Sequence, residues 1–233
     1  MAKKGRKYKA SKELLKEKLF YSQEEAIPLL LKTGTTKFDP SCEVHMKLGI
    51  DPTHADQTVR STIPLPNGTG KKTKVIAFVP DEKISEAKNA GASEAGSADL
   101  IEKILGGWLD FDTAVAHPSI MKELGKIAKI LGQKGLMPNP KSGTVTDKIE
   151  QVVAEIIKGK IEFRNDKLSN LHNIFGKLSF GEDKLKGNLK TYVKAVQDAK
   201  PTGVKGVYIQ SITICTTMGP GIHLDTALAL AKN

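Results

Sequence analysis

The pattern of apolar residues changes twice along the chain, and this change constrains the fold more than any other feature. Residues 42–50 alternate between apolar and polar side chains, which predicts a strand with one buried face. Residues 75–79 are instead apolar throughout, as is typical of a strand covered on both sides. Strand and helix patterns alternate from there until Gly159, after which alternating strands return, the longest over 207–218. The order is therefore α+β, then α/β, then α+β.

The simplest fold with this order is one domain inserted into another. We predict an α/β class with two domains. A discontinuous α+β outer domain is built from residues 1–67 and 159–233, and a three-layer α/β, Rossmann-like domain is inserted at 68–158. Two consecutive domains followed by a third are the alternative, which is less favoured because each would be small. Insertion implies two adjacent linkers, near 64–72 and 158–160, and therefore a hinge.

Local signals predict where several helices begin. Ser22 followed by Glu25 has the form of a capping box, so a helix should start there. Pro118 is expected to open a helix that reaches about Leu131, because proline is favoured in a first helical turn. A further helix, extending to about residue 157, should be capped by Thr146 or Asp147.

The charge of the chain favours a polyanionic partner. The sequence has 36 Lys and Arg against 26 Asp and Glu, a formal net charge of +10. Residues 1–18 alone carry eight basic and two acidic side chains. Nucleic acid is the commonest partner for such a chain, an anionic membrane surface comes next, and a merely basic soluble protein is the remaining alternative. The sequence lacks membrane-span and signal-peptide patterns, so we expect no membrane partner and a cytoplasmic location.

Enzyme chemistry finds little support. Residues 68–73 (Gly-Thr-Gly-Lys-Lys-Thr) resemble a phosphate loop, but Leu65 stands where that pattern needs glycine, and the segment precedes a strand instead of following one. The strand at 75–79 is followed by no dinucleotide-binding glycine pattern. The five histidines and two cysteines have no metal-ligand spacing. We therefore predict a protein that is not an enzyme, with no cofactor and no metal site.

Two loops suggest a different role. Residues 131–146 are rich in Gly and Pro and should have a definite shape, since proline fixes φ and glycine takes strained conformations. This loop either packs one domain against the other or contacts RNA directly. Residues 216–221 (Thr-Thr-Met-Gly-Pro-Gly) end the long strand, where their hydroxyls and glycine backbone either approach a sugar–phosphate chain or form a plain turn.

These loops carry a family resemblance. Together with residues 37–52 and 159–167, they make the sequence closely similar to the large-subunit ribosomal protein L-one (uL-one) family over nearly the whole chain. The resemblance implies a structural protein of the large ribosomal subunit with the inserted-domain fold. It implies that the protein binds folded rRNA of the mobile stalk near the tRNA exit site and assists tRNA release. It also implies repression of the protein's own mRNA, and a monomer when free of the ribosome.

The resemblance places the RNA site on the outer domain. The implied RNA-binding residues are Lys37, Phe38, Arg164, Asp166, Lys167, His172, Thr217, Met218 and Gly219. Three basic side chains, Lys37, Arg164 and Lys167, can neutralise phosphates. Thr217 and the backbone of Gly219 can bond to ribose 2′-hydroxyls, which DNA lacks.

Alternatives remain for single residues and for the function as a whole. Thr217 either bonds to RNA or only supports the turn, and Phe38 either stacks on a base or fills the edge of the core. With 5% aromatic residues, the chain is better suited to folded RNA than to stacking single strands. The rival classes are a basic α/β enzyme acting on phosphorylated substrates and a DNA-binding protein. The first lacks a nucleophile–base pair, and the second lacks a recognition helix.

Overall fold

The computed structural model describes residues 5–15, 18–54 and 56–230. Its α-helices are α1 (Arg6–Glu13), α2 (Gln23–Thr33), α3 (Ile84–Asn89), α4 (Ala98–Leu105), α5 (Met121–Leu124), α6 (Ala128–Lys134), α7 (Ile149–Lys158), α8 (Gly181–Asp198) and α9 (Thr226–Leu230). Its strands are β1 (Ser41–Leu48), β2 (Arg60–Pro64), β3 (Val75–Phe78), β4 (Glu94–Gly96), β5 (Thr113–Ala116), β6 (Lys160–Arg164), β7 (Asn170–Lys177), β8 (Ile209–Thr216) and β9 (Ile222–Leu224). The mixed α/β class is confirmed.

The chain divides into two compact units. The outer unit comprises Met1–Gly70 and Glu162–Asn233, and the inserted unit comprises Lys71–Ile161. In the described part of the chain, no helix is both long and apolar enough to cross a lipid bilayer.

The outer unit is built on a four-stranded antiparallel sheet in the order β7-β1-β8-β9. Strand β1 lies inside this sheet, and every second residue of it is buried, as the alternation predicted. Helices α2 and α8 pack against each other and against the sheet on the side of those buried residues. The opposite face carries the polar residues of β1. A separate pair of strands, β2 and β6, completes the unit's β-structure.

Helix α2 begins where the sequence predicted. The Ser22 hydroxyl accepts a hydrogen bond from the Glu25 backbone N–H, and the Glu25 carboxylate accepts one from the Ser22 backbone N–H, each at 3.2 Å. This capping box satisfies two backbone donors that the first turn leaves unpaired. Pro28 lies inside the helix without ending it.

The basic N-terminal segment contains a helix that the sequence did not predict. Helix α1 is tied to α2, because the buried Ser11 hydroxyl donates to the Thr33 carbonyl at 3.4 Å. Residues 1–4, 16 and 17 of the segment lie outside the described residues.

The inserted unit has a parallel three-stranded sheet in the order β4-β3-β5. Ile76 and Phe78 of β3 belong to a core that includes α4, α5 and α6. Val75 and Ala77 belong to a second core that includes α3 and α7. The strand is apolar throughout because helices cover both of its faces, which gives the unit three layers.

Two helix predictions in this unit were correct only in part. Pro118 opens a helical segment, the 3₁₀ turn Pro118–Ile120, and a helix does extend to Lys158. No single helix runs from Pro118 to Leu131, because α5 and α6 are separated at Gly125, where backbone bonds tighten to the i→i−3 pattern and glycine has weak helix propensity. Helix α7 is capped by neither Thr146 nor Asp147. The Thr146 hydroxyl instead accepts from the Lys148 N–H, and the helix begins at Ile149.

The Gly- and Pro-rich loop at 131–146 folds onto the inserted unit. Leu136 and Met137 pack against the core beside α4 and α6. Main-chain bonds from Ala116 N–H to the Thr144 carbonyl and from Thr146 N–H to the Ala116 carbonyl join it to β5. The definite shape predicted for the loop is confirmed, whereas its proposed roles in domain packing and in RNA contact stay predictions.

Candidate nucleic-acid interface

The open face of the four-stranded sheet is lined by side chains that donate or accept hydrogen bonds. Successive side chains of a strand point to opposite faces, so the residues between the buried positions of β1 share the open face. Strands β7 and β8 add polar residues beside them, in register with β1. The open-face residues include Ser41, Glu43, His45, Lys47, His172, Thr213 and Cys215.

A tight turn closes one end of this face, where β8 stops. The Gly219 N–H bonds to the Thr216 carbonyl at 2.8 Å, which makes Thr216–Gly219 a four-residue turn. Met218 occupies its third position with φ of 67°, a left-handed conformation that costs a residue other than glycine about 1–2 kcal/mol. The Met218 side chain is nevertheless 78% exposed. A strained backbone that presents an apolar side chain to solvent is typical of a contact site.

Thr217 in this turn already has partners within the protein. Its hydroxyl accepts from the Ser41 N–H at 3.1 Å and lies 3.4 Å from the Ser41 carbonyl. The Thr217 N–H also donates to that carbonyl, at 3.0 Å. These bonds fasten the end of β8 to the start of β1, as expected if Thr217 supports the turn. A bond from Thr217 to RNA stays a prediction and would use the second lone pair of the hydroxyl oxygen.

Lys37 and Phe38 lie at the same end of the sheet, just before β1. Both side chains are exposed, and the Phe38 ring is 59% exposed, so Phe38 does not fill the edge of the core. The Asp39 carboxylate fixes this segment, accepting from the Ser179 N–H at 3.1 Å and from its hydroxyl at 2.7 Å. The sheet therefore brings Lys37 and Phe38 to the same end as the Met218 turn.

Three other predicted residues lie at the opposite end. Arg164 ends β6, and Asp166 and Lys167 belong to the turn that leads into β7. The Ser41 end of β1 pairs with the last residue of β7, because the two strands are antiparallel. At about 3.3 Å per residue, the start of β7 therefore lies about 20 Å from the Ser41 end of the sheet. The predicted residues therefore form a stripe along the sheet and not one cluster.

Asp166 organises its turn through its carboxylate. One oxygen accepts from the Leu168 N–H at 2.8 Å and from the Asn170 N–H at 2.7 Å, and the other accepts from the Asn170 side chain at 3.2 Å. These bonds lower the pKa of Asp166, and the bond from the Asn170 backbone N–H has the largest effect. A carboxylate does not neutralise phosphate, but these bonds fix the turn that contains the exposed Lys167. A role of Asp166 in RNA binding stays a prediction.

His172 lies midway along the stripe, next to a histidine that the sequence did not single out. Its Nδ1 is 2.8 Å from Nδ1 of His45, its direct partner across the β1–β7 pair. The Nε2 atom of His172 faces Asp166 at 3.5 Å. Burial lowers the pKa of His45 most, and the neighbouring His172 lowers it further. The cross-strand position of His45 follows from register, which spacing along the chain does not encode.

The two cysteines lie on opposite faces of the sheet. Cys42 is fully buried, and burial raises the pKa of its thiol to about 12. Cys215 lies on the open face, where burial and then Glu43 raise its thiol pKa. Both are free and both lie in strands.

Comparison with known proteins decides the family. The family model described as "Ribosomal protein L1p/L10e family" matches residues 30–220. The chain is also similar to the "Large ribosomal subunit protein uL1" of Saccharopolyspora erythraea, with 51% identity over 225 residues, which cover 97% of this chain and 94% of that protein.

The chain belongs to the ribosomal protein L1 family. It is therefore a ribosomal protein and not an enzyme, as the sequence predicted. The matched region of this L1-family protein includes β1, the turn after β6 and the Met218 turn, so it contains every predicted RNA-binding residue.

Proposed function

We propose that this L1-family protein binds folded rRNA of the large ribosomal subunit, in the cytoplasm, through the open face and the ends of its four-stranded sheet. The observation that carries the proposal is the Met218 turn. It combines a strained backbone and an exposed methionine with the exposed Lys37 and Phe38 at the same end of the sheet. Cations there bind phosphates, and Phe38 and Met218 pack against sugars or bases.

The geometry favours folded RNA over single strands. Phe38 is the one exposed Phe, Tyr or Trp side chain among the predicted site residues, whereas single-strand binders stack successive bases on several such rings. The polar open face instead offers donors and acceptors along about 20 Å. A surface of this kind fits ribose hydroxyls and phosphates held in a fixed shape.

Binding to folded rRNA should weaken steeply with salt, because Lys37, Arg164 and Lys167 displace counterions from phosphates. We expect a decrease of roughly 0.7–0.9 log units in the association constant per log unit of salt for each phosphate contacted. Titration of a stalk rRNA fragment between 50 and 300 mM salt, with duplex DNA as competitor, measures this slope. A flat affinity, or equal binding to the DNA, would contradict the proposal.

We further propose that the outer unit is an independent RNA-binding domain and that the inserted unit is a second domain. Two adjacent chain segments join the domains and form a hinge. The junction can be chosen from the structure. Gly68 must remain, because buried Asn188 of α8 donates to its carbonyl at 2.8 Å. Deleting residues 71–159 joins Gly70 to Lys160 and retains all strands of the outer unit.

This deletion is expected to leave a folded fragment that binds the rRNA fragment within about threefold of the full chain. The reason is that every proposed contact residue belongs to the outer unit. Circular dichroism and urea unfolding establish folding, and filter binding measures affinity. A folded fragment that loses nearly all affinity would place the main RNA site in the inserted unit.

The proposal includes two finer roles implied by the sequence resemblance. The protein holds the mobile stalk beside exit-site tRNA and assists tRNA release, and it represses translation of its own mRNA by binding an RNA fold like that of its rRNA site. It is a monomer when free of the ribosome. Addition of purified protein to a translation reaction programmed with its own leader sequence tests repression, with an unrelated leader as control.

A further inference from the structure

Three potential metal ligands meet on the open face of the sheet. The ligand atoms of Glu43, His45 and Cys215 all lie within 4.8 Å of one another. Glu43 and His45 are two residues apart on β1, and Cys215 of β8 is the direct cross-strand partner of Glu43. The cluster is therefore produced by strand alternation and register, and it joins residues about 170 positions apart in the sequence.

Two of the three distances within the cluster match those between ligands of one tetrahedral ion. The His45 Nε2 atom is 3.4 Å from the Cys215 sulfur and 3.6 Å from a carboxylate oxygen of Glu43. Bonds of about 2.0 Å to nitrogen or oxygen and about 2.3 Å to sulfur, at a tetrahedral angle, separate such atoms by about 3.3–3.6 Å. The third pair, Glu43 and Cys215, lies within 4.8 Å, so all three donors can reach one ion through small side-chain adjustments.

The second nitrogen of His45 is held by a chain of polar groups. With Nε2 directed at Cys215 and Glu43, the Nδ1–H of His45 donates to Nδ1 of His172, at 2.8 Å. The Nε2–H of His172 then faces the Asp166 carboxylate at 3.5 Å. Metal-binding histidines are commonly oriented in this way, through a bond from the second ring nitrogen that leads to a carboxylate. His172 and Asp166 would therefore position His45 without contacting the ion.

We propose that Glu43, His45 and Cys215 form a zinc site on the open face of this sheet. Thiolate, imidazole and carboxylate together suit Zn²⁺, a borderline-soft ion that accepts tetrahedral sulfur, nitrogen and oxygen ligands. The thiol proton of Cys215 passes to solvent when its sulfur binds the ion. Water fills the fourth position, since all three ligands are partly exposed. Because β1 is hydrogen-bonded along both edges, the ligands are held by a rigid element.

Isothermal titration of the full-length protein with Zn²⁺ tests the site. We expect one ion to bind per chain. Loss of a group that supports a metal ligand weakens metal binding by about 10–100-fold. We therefore expect His172→Ala to weaken Zn²⁺ binding about 10-fold. Cys215→Ser removes a ligand itself and should weaken binding by more than this range. Two matched controls should bind Zn²⁺ as the wild type does. Cys42→Ala removes the buried cysteine from the other face, and His223→Ala removes an exposed histidine of β9 from outside the cluster.

Titration with Co²⁺ gives an independent readout of the sulfur ligand. A sulfur-to-cobalt charge-transfer band should appear in the near ultraviolet for the wild type and for Cys42→Ala, and be absent for Cys215→Ser. The partly exposed position of Cys215 makes serine compatible with folding, which urea unfolding verifies. Absence of stoichiometric Zn²⁺ binding by the wild type, or equal affinity in folded Cys215→Ser, would overturn the proposal.

Discussion

Gly219→Ala should weaken binding to folded rRNA about 10-fold or more. A Cβ at position 219 would overlap the Thr216 hydroxyl oxygen and lie 3.2 Å from the Thr216 carbonyl oxygen. Thr216 is buried and its β-branched side chain is stiff at χ1, so the turn must move instead. Overpacking of this kind costs about 1–3 kcal/mol. Such a shift would carry Met218 and its neighbours away from the proposed RNA contacts. Filter binding measures affinity, and urea unfolding measures stability.

A second substitution tests whether sterics cause this loss. Thr216→Ala removes the hydroxyl that the new Cβ would overlap, and this hydroxyl has no hydrogen-bond partner within the described chain. The Thr216→Ala/Gly219→Ala protein should therefore regain part of the affinity lost by Gly219→Ala. Wild-type affinity in the Gly219→Ala protein would show that the turn does not position RNA contacts.

Asp166→Ala should lower the free energy of unfolding by about 2 kcal/mol, because it leaves the Leu168 and Asn170 N–H groups without their charged acceptor. Asp166→Asn is the matched control. Both N–H groups bond to the same oxygen, which an amide can replace, so a loss below about 1 kcal/mol is expected. Urea unfolding at neutral pH measures both values.

The same bonds predict how stability depends on pH. The pKa of Asp166 is lowered in the folded protein, so its contribution is present above the pKa of the unfolded state and is lost as pH falls through the folded-state value. The stability difference between wild type and Asp166→Ala should therefore shrink in acid. An Asp166→Ala protein as stable as the wild type at neutral pH would show that the carboxylate does not hold the turn.

Two kinds of feature could be predicted from the sequence: those that follow from the repeat of apolar residues within one element, and those that follow from hydrogen bonds between residues close in the chain. The alternation over 42–50 predicted which face of β1 is buried, and the apolar run at 75–79 predicted a strand covered on both sides. The capping box at Ser22 needs only residues three positions apart. In each case the physical cause lies within one element, so the sequence displays it directly.

Features that depend on register could not be predicted in this way. His45 meets His172, and Glu43 meets Cys215, because β1 pairs with strands more than 120 residues later. Spacing along the chain therefore suggested no metal ligands. The bond between the Thr217 hydroxyl and Ser41 depends on the same pairing. The alternation of apolar and polar residues predicted which β1 side chains face outward, but it could not predict their neighbours on the adjacent strands.

The place of β1 in the sheet also governs when the protein can begin to work during its own synthesis. Strand β1 is complete at Leu48, whereas β8 ends at Thr216. Synthesis adds about 5–20 residues per second, so β1, which has one apolar face, remains without β8 for roughly 10–30 s. The inserted unit is contiguous in sequence and can form meanwhile. A nascent chain thus acquires the Met218 turn only after β8 has been made, so an incomplete chain exposes an unpaired β1 before it can form the proposed RNA-binding surface.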